Sequence, residues 1–174
     1  MSLGELAVCG KPVAAQPCAL LAGHVVPCSP DPNGFGIPIP TEPWTEIAPR
    51  LYMGGWRMGQ PTADDFDSVL TLSGSAPWAP APLNEKRFPI NDGRELPDFA
   101  SLDAAVSWVY HQWEEQKRIV LVRCQAGLNR SGLVTALVLI RAGHLPQDAI
   151  ALIRERRSPF ALCNPTFVHY LEGQ

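Results

Sequence analysis

Ile119-Val120-Leu121-Val122-Arg123-Cys124-Gln125-Ala126-Gly127-Leu128-Asn129-Arg130-Ser131-Gly132-Leu133-Val134-Thr135-Ala136-Leu137-Val138-Leu139-Ile140 is the stretch on which the fold turns. Its first four residues form a short run rich in β-branched side chains, the pattern of a buried strand. Residues 133–140 are apolar, contain alanine and are long enough for a buried helix. The segment between them therefore joins a strand to the N-terminus of a helix. This connection predicts an α/β fold with a central, mostly parallel twisted sheet flanked by helices. The loop is expected at the carboxyl edge of the sheet, where open α/β sheets place ligands.

A loop in that position has a definite chemistry. Unpaired backbone N–H groups and the positive end of the helix dipole converge on it, which favours a phosphate dianion. Gly127 suits a backbone that curls with its amides inward. The same field acts on Cys124: a free thiol titrates near ~8.5, and cysteines at helix N-termini or beside cations titrate at roughly 3.5–7.5, so a nucleophilic thiolate is expected. Arg130, six positions on, can hold two phosphoryl oxygens through its planar fork. Ser131 is the candidate donor to the sulfur when it leaves. The backbone of Gln125, Ala126, Gly127, Leu128, Asn129 and Arg130 is the candidate phosphate cradle. The competing reading is a buried, inert cysteine followed by residues that cap a helix.

With these residues in place the chain resembles the cysteine-dependent protein tyrosine phosphatase superfamily, and within it the small, atypical dual-specificity phosphatases. Trp44-Thr45-Glu46-Ile47-Ala48-Pro49-Arg50-Leu51-Tyr52-Met53-Gly54-Gly55 is similar to the opening strands of that family. Asp148-Ala149-Ile150-Ala151-Leu152-Ile153-Arg154 and Asn164-Pro165-Thr166-Phe167 are similar to its closing helices. The resemblance spans roughly residues 42–172. It implies phosphomonoester hydrolysis through a phosphocysteine, on phosphotyrosine and other phosphorylated protein residues, with no metal or other cofactor needed for the chemistry.

The resemblance also implies a general acid on a loop ahead of the cysteine, and Asp92 in Phe88-Pro89-Ile90-Asn91-Asp92-Gly93-Arg94-Glu95-Leu96-Pro97-Asp98 has the spacing. Asn-Asp-Gly is also strong turn chemistry. Glu95 and Asp98 compete for the acid role, although Asp98, ahead of an amphipathic stretch, reads more readily as a helix N-cap. Arg123 departs from the family pattern, which has histidine before the cysteine. Its charge is expected either to turn inward and favour the thiolate or to stay at the surface as a contact for an acidic substrate. The departure keeps open an alternative reading: a weak or inactive phosphate-binding pseudophosphatase.

The remaining sequence bounds these expectations. The chain has 174 residues and a net charge of −3; with a pI near 5.8, it lacks the basic footprint of a nucleic-acid binder. No stretch is long and apolar enough for a membrane span, and the start shows no secretory pattern, so a cytoplasmic, reducing setting is expected. Residues 30–43 are rich in proline and glycine and read as an extended linker, with the phosphatase-like domain at 44–174. Residues 73–82, after the apolar run 69–72, read as a surface loop. Leu102, Val106, Val109, Tyr110 and Trp113 recur at helical steps. Residues 1–29 hold Cys9, Cys18, His24 and Cys28, a candidate structural zinc set in a segment with little core-forming content. The competing reading of that segment is a tail whose cysteines are incidental. Cys163 reads as a packing residue, with a disulfide to Cys124 as the other option. The expected partner is a phosphorylated protein or other phosphomonoester; oligomeric state is not readable from the chain.

Overall fold

The structure is a computed structural model that describes residues 39–56, 65–74, 76, 84–93 and 95–174, together with the backbone of Pro12–Val13, which pairs antiparallel with Gln16–Pro17. The candidate zinc residues Cys9, Cys18, His24 and Cys28 lie outside the described residues.

Five strands form one sheet: β1 (Trp44–Ala48), β2 (Leu51–Gly55), β3 (Ser68–Thr71), β4 (Asn84–Arg87) and β5 (Val120–Cys124), in the order β1-β2-β5-β3-β4. Within this sheet only β1 and β2 pair antiparallel; the other three pairings are parallel. The helices are α1 (Phe99–Tyr110), continued by a π-helical turn His111–Glu115, then α2 (Arg130–Arg141), α3 (Pro146–Arg156) and α4 (Pro165–Glu172). The expected α/β architecture is the one observed. No described helix is long and apolar enough to cross a membrane.

The period-2 alternation of the strands explains how the sheet is covered. In register across β2, β5 and β3, Met53, Val122 and Leu70 join the larger core, to which all four helices contribute. Tyr52, Leu121 and Val69 point the other way and form a second cluster with Phe66 and Trp44. Strand β5 is buried along its whole length, as a central parallel strand covered on both faces must be.

Local signals set the helix ends. Asp98 caps α1, its carboxylate accepting from Ser101 N at 2.9 Å. That hydrogen bond is the main reason its carboxyl titrates below the usual value. Pro165 stands in the first turn of α4, where its missing N–H costs nothing, and Asn164 caps that helix. Two boundaries differ from expectation. Helix α2 begins at Arg130 rather than at residue 133, so the loop arginine is itself helical. Ser73 and Ala76, from the expected surface loop, are buried. At the end of the expected linker, Ile39 packs on the core, while the carbonyls of Glu42 and Pro43 accept from Arg157.

Candidate active site

Backbone pairing continues beyond the formal strand ends and places two loops side by side. Leu72 N donates to Arg123 O at 2.8 Å, Phe88 N to Thr71 O at 3.0 Å and Ile90 N to Leu72 O at 3.1 Å. This extended ladder carries the chain after β4 to the carboxyl end of β5. Asp92 follows two residues beyond its last rung.

Cys124 is buried at the end of β5. Its Sγ lies 3.3 Å from Gly127 N, which donates to it, and 3.3 Å from Ser131 Oγ in the first turn of α2. The loop turns back on itself at Gly127, whose φ is +70°. A Cβ at Gly127 would lie 2.4 Å from Gly54 C and Gly55 N, and one at Gly55 would lie 2.9 Å from Gln125 O. The end of β2 is thus a glycine platform against which the cysteine loop is pressed. Ala126 and Leu128 bury their side chains in the core, so only their backbones can serve a ligand, whereas Gln125 is exposed.

Arg130 and Asp92 face each other, with Nε to Oδ2 at 4.0 Å. Arg130 Nη1 donates to Ile90 O at 3.3 Å, while its buried Nε has no hydrogen-bond partner. An unpaired guanidinium N–H at the cysteine loop is a donor ready for an anion. Glu95 is exposed, and Asp98 is committed to capping α1. Of the three acidic candidates, the one the fold brings to Arg130 is Asp92.

Two supporting residues make contacts that the sequence did not announce. Arg157, buried just beyond α3, donates from Nε to Gly127 O at 3.1 Å, and from Nη1 to Glu42 O at 2.8 Å and Thr45 Oγ1 at 3.0 Å. It ties the loop to the start of β1. Asn164 connects Asn129 to Asp92: its backbone N donates to Asn129 Oδ1 at 3.1 Å, and its Nδ2 donates to Asp92 Oδ1 at 3.0 Å. Each contact spans a long sequence separation, so no local pattern announces it.

Arg123 takes neither of its expected positions. Strand alternation turns its side chain to the opposite face from Val122, where it is only 4% exposed. Its Nε donates to Thr71 Oγ1 at 2.8 Å and its Nη2 pairs with Glu85 Oε1 at 3.3 Å. Arg87 shares the same carboxylate at 3.1 Å. Burial pulls the Arg123 guanidinium below its ordinary pKa, and Glu85 opposes that shift. The residue is therefore a buried strut between β5, β3 and β4. It is neither a surface contact nor a neighbour of Sγ.

Cys124 and Cys163 are both free thiols. Cys163 donates to Asn129 Oδ1 at 3.3 Å, and burial raises its pKa above that of an ordinary thiol, with the Asn129 hydrogen bond opposing.

Residues 52–173 match the family model "Dual specificity phosphatase, catalytic domain". No curated protein matches the chain by sequence. Among solved structures the chain is similar to human DUSP28, at 22% identity and a TM-score of 0.64, covering 74% of this chain and 95% of that one. It is similar to Tk-PTP in the active form at 22% identity and TM-score 0.62, covering 78% and 99%. A human tyrosine phosphatase-like serine/threonine/tyrosine-interacting protein is 19% identical with a TM-score of 0.62, covering 75% and 93%. Likeness at this level of identity is a likeness of fold.

Proposed function

Because the chain belongs to the dual specificity phosphatase catalytic-domain family, we propose that it hydrolyses phosphomonoesters on proteins through a phosphocysteine at Cys124. The observation that carries this reading is the convergence on one buried sulfur of the Gly127 amide and the Ser131 hydroxyl, each at 3.3 Å, beside an arginine whose Nε is unpaired.

In the first step the Cys124 thiolate attacks phosphorus. The S–P bond forms as the ester P–O bond breaks. Arg130 and the loop amides take up charge on the phosphoryl oxygens, and Asp92 gives its proton to the departing oxygen. In the second step Asp92, now ionised, takes a proton from water as that water attacks phosphorus. The S–P bond breaks, with Ser131 Oγ donating to the leaving sulfur. A positioned acid typically contributes about 10²–10⁴-fold.

A phosphate-binding module without turnover is the second reading, and the observation behind it is Arg123 in place of the family's histidine. Arg123 points away from Sγ and leaves the arrangement of Cys124, Ser131 and Arg130 intact, which favours the enzyme. Hydrolysis of phenyl phosphate by wild type, Cys124→Ser and Asp92→Asn separates the readings. Wild type is expected to be faster than either variant. A wild type no faster than Cys124→Ser would leave the binding module standing. A rate for Asp92→Asn equal to wild type would remove the acid assignment alone.

A further inference from the structure

Asn164 uses every polar group it has, and its amide is the one described hydrogen-bond donor to the Asp92 carboxyl. It is 1% exposed. Its Oδ1 accepts from Thr166 N at 3.0 Å as the cap of α4, and its carbonyl accepts from Phe167 N and Val168 N at 3.2 Å. Thr166 N can only donate, so the amide's oxygen faces the helix and its nitrogen faces the acid loop. Both amide protons are then spent on neighbouring residues of that loop: Asp92 Oδ1 at 3.0 Å and Gly93 O at 3.0 Å.

Ahead of Asp92 the loop is anchored at Ile90, whose N donates to Leu72 O and whose O accepts from Arg130 Nη1. On one side Asn91 and Gly93 border a cavity of about 450 Å³, lined also by Pro89, Leu96 and Ser101. On the other stands Arg130, whose Nε is 4.0 Å from Asp92 Oδ2, too far for a hydrogen bond. We infer that Asn164 is the positioning residue of the general acid. It clamps the Asp92 turn to the cysteine loop through Asn129 and occupies Oδ1, so that Oδ2, the oxygen on the Arg130 side, carries the proton that is transferred.

The choice of residue supports this role. Serine, aspartate and asparagine all cap helices well, so the cap alone does not call for asparagine. Aspartate has no proton to donate and serine's hydroxyl has one, so of the three only asparagine accepts from Thr166 N while donating to both Asp92 Oδ1 and Gly93 O. An aspartate there would set a second carboxylate against Asp92.

This inference rests on the phosphocysteine reading with Asp92 as acid, and its test separates the two. Asn164→Ser and Asn164→Asp, both of which keep a capping oxygen, are compared with wild type on p-nitrophenyl phosphate, which has a good leaving group, and on phenyl phosphate, which has a poor one. Competitive inhibition by inorganic phosphate reports on the cysteine loop independently of the acid. For Asn164→Ser, kcat on phenyl phosphate is expected to fall roughly 10–100-fold, within the range assigned to a general acid. The fall on p-nitrophenyl phosphate should be several-fold smaller and phosphate inhibition near wild type. Asn164→Asp should widen the gap between the substrates. Placed in an Asp92→Asn background, Asn164→Ser should leave the substrate ratio unchanged, because the acid it positions is gone. A variant that folds, binds phosphate and keeps the wild-type ratio of the two substrates would overturn the inference. So would one that loses both substrates equally along with phosphate binding, which would mark Asn164 as structural. If Asp92→Asn itself keeps the wild-type ratio, the acid assignment fails first and this inference falls with it.

Discussion

Replacing Glu85 with alanine tests whether the arginine before the cysteine is a structural strut. Glu85 Oε1 accepts from Thr71 Oγ1 at 2.6 Å and pairs with Arg87 Nη2 at 3.1 Å and Arg123 Nη2 at 3.3 Å. The Glu85 and Arg123 side chains are each 4% exposed and Arg87 is 17% exposed, so water cannot take over the lost partner. Removing one member of a buried ion pair costs about 3–5 kcal/mol, because the other charge stays desolvated. At roughly 2–4 °C per kcal/mol for a chain of this size, Tm should fall by roughly 6–20 °C. Replacing the pair together, Arg123→Met with Glu85→Leu, should recover at least about 1 kcal/mol relative to the sum of the single variants. Because Arg123 faces away from Sγ, kcat of the folded Glu85→Ala protein should stay within about threefold of wild type. Urea unfolding followed by tryptophan fluorescence, with phenyl phosphate kinetics well below Tm, measures both quantities. A destabilisation below about 1 kcal/mol, as for a surface ion pair, would refute the strut. A change in kcat without a change in stability would show that Arg123 acts on the thiolate after all.

Three further outcomes are expected. Gly127→Ala should cut kcat/KM at least about 100-fold, since its Cβ would lie 2.4 Å from Gly54 C at a φ of +70°; activity within threefold of wild type would contradict the glycine platform. Asp98→Ala should lower Tm modestly at pH 7 and leave kcat unchanged. Since the Ser101 hydrogen bond depresses the folded pKa of Asp98, its contribution is present above the ordinary carboxylate value near ~3.9 and is lost as pH falls through the folded value. The Tm difference between wild type and variant should therefore shrink in that range. Metal analysis of the reduced full chain should find about one zinc per chain, as a four-ligand structural site holds one ion, and loss of that zinc in Cys18→Ser; absence of zinc under metal-replete conditions would remove the N-terminal assignment.

Much of the site was legible because it is local. Cys124, Gly127, Arg130 and Ser131 lie on one strand–loop–helix connection, and chain connectivity alone brings them within reach of one another. The cap of α1 was legible for the same reason, since Asp98 reaches only to Ser101. The alternation that buries Val122 on one face also turns Arg123 to the other. That much follows from strand geometry, but which side chain meets Arg123 there does not.

The sequence by itself determined the α/β pattern and the cysteine loop between β5 and α2, and with the family resemblance it favoured Asp92 as candidate acid over Glu95 and Asp98. The tertiary structure alone brought Asp92 to Arg130, by extending the ladder from Arg123 through Leu72 to Ile90. It alone paired Arg123 with Glu85, set Gly54 and Gly55 against Gly127, and brought Arg157 and Asn164 onto the two loops. The physical reason is separation along the chain. Contacts within a few residues are dictated by backbone geometry. Those that span 30 residues or more depend on which strands become neighbours, and that order exists only once the sheet is assembled.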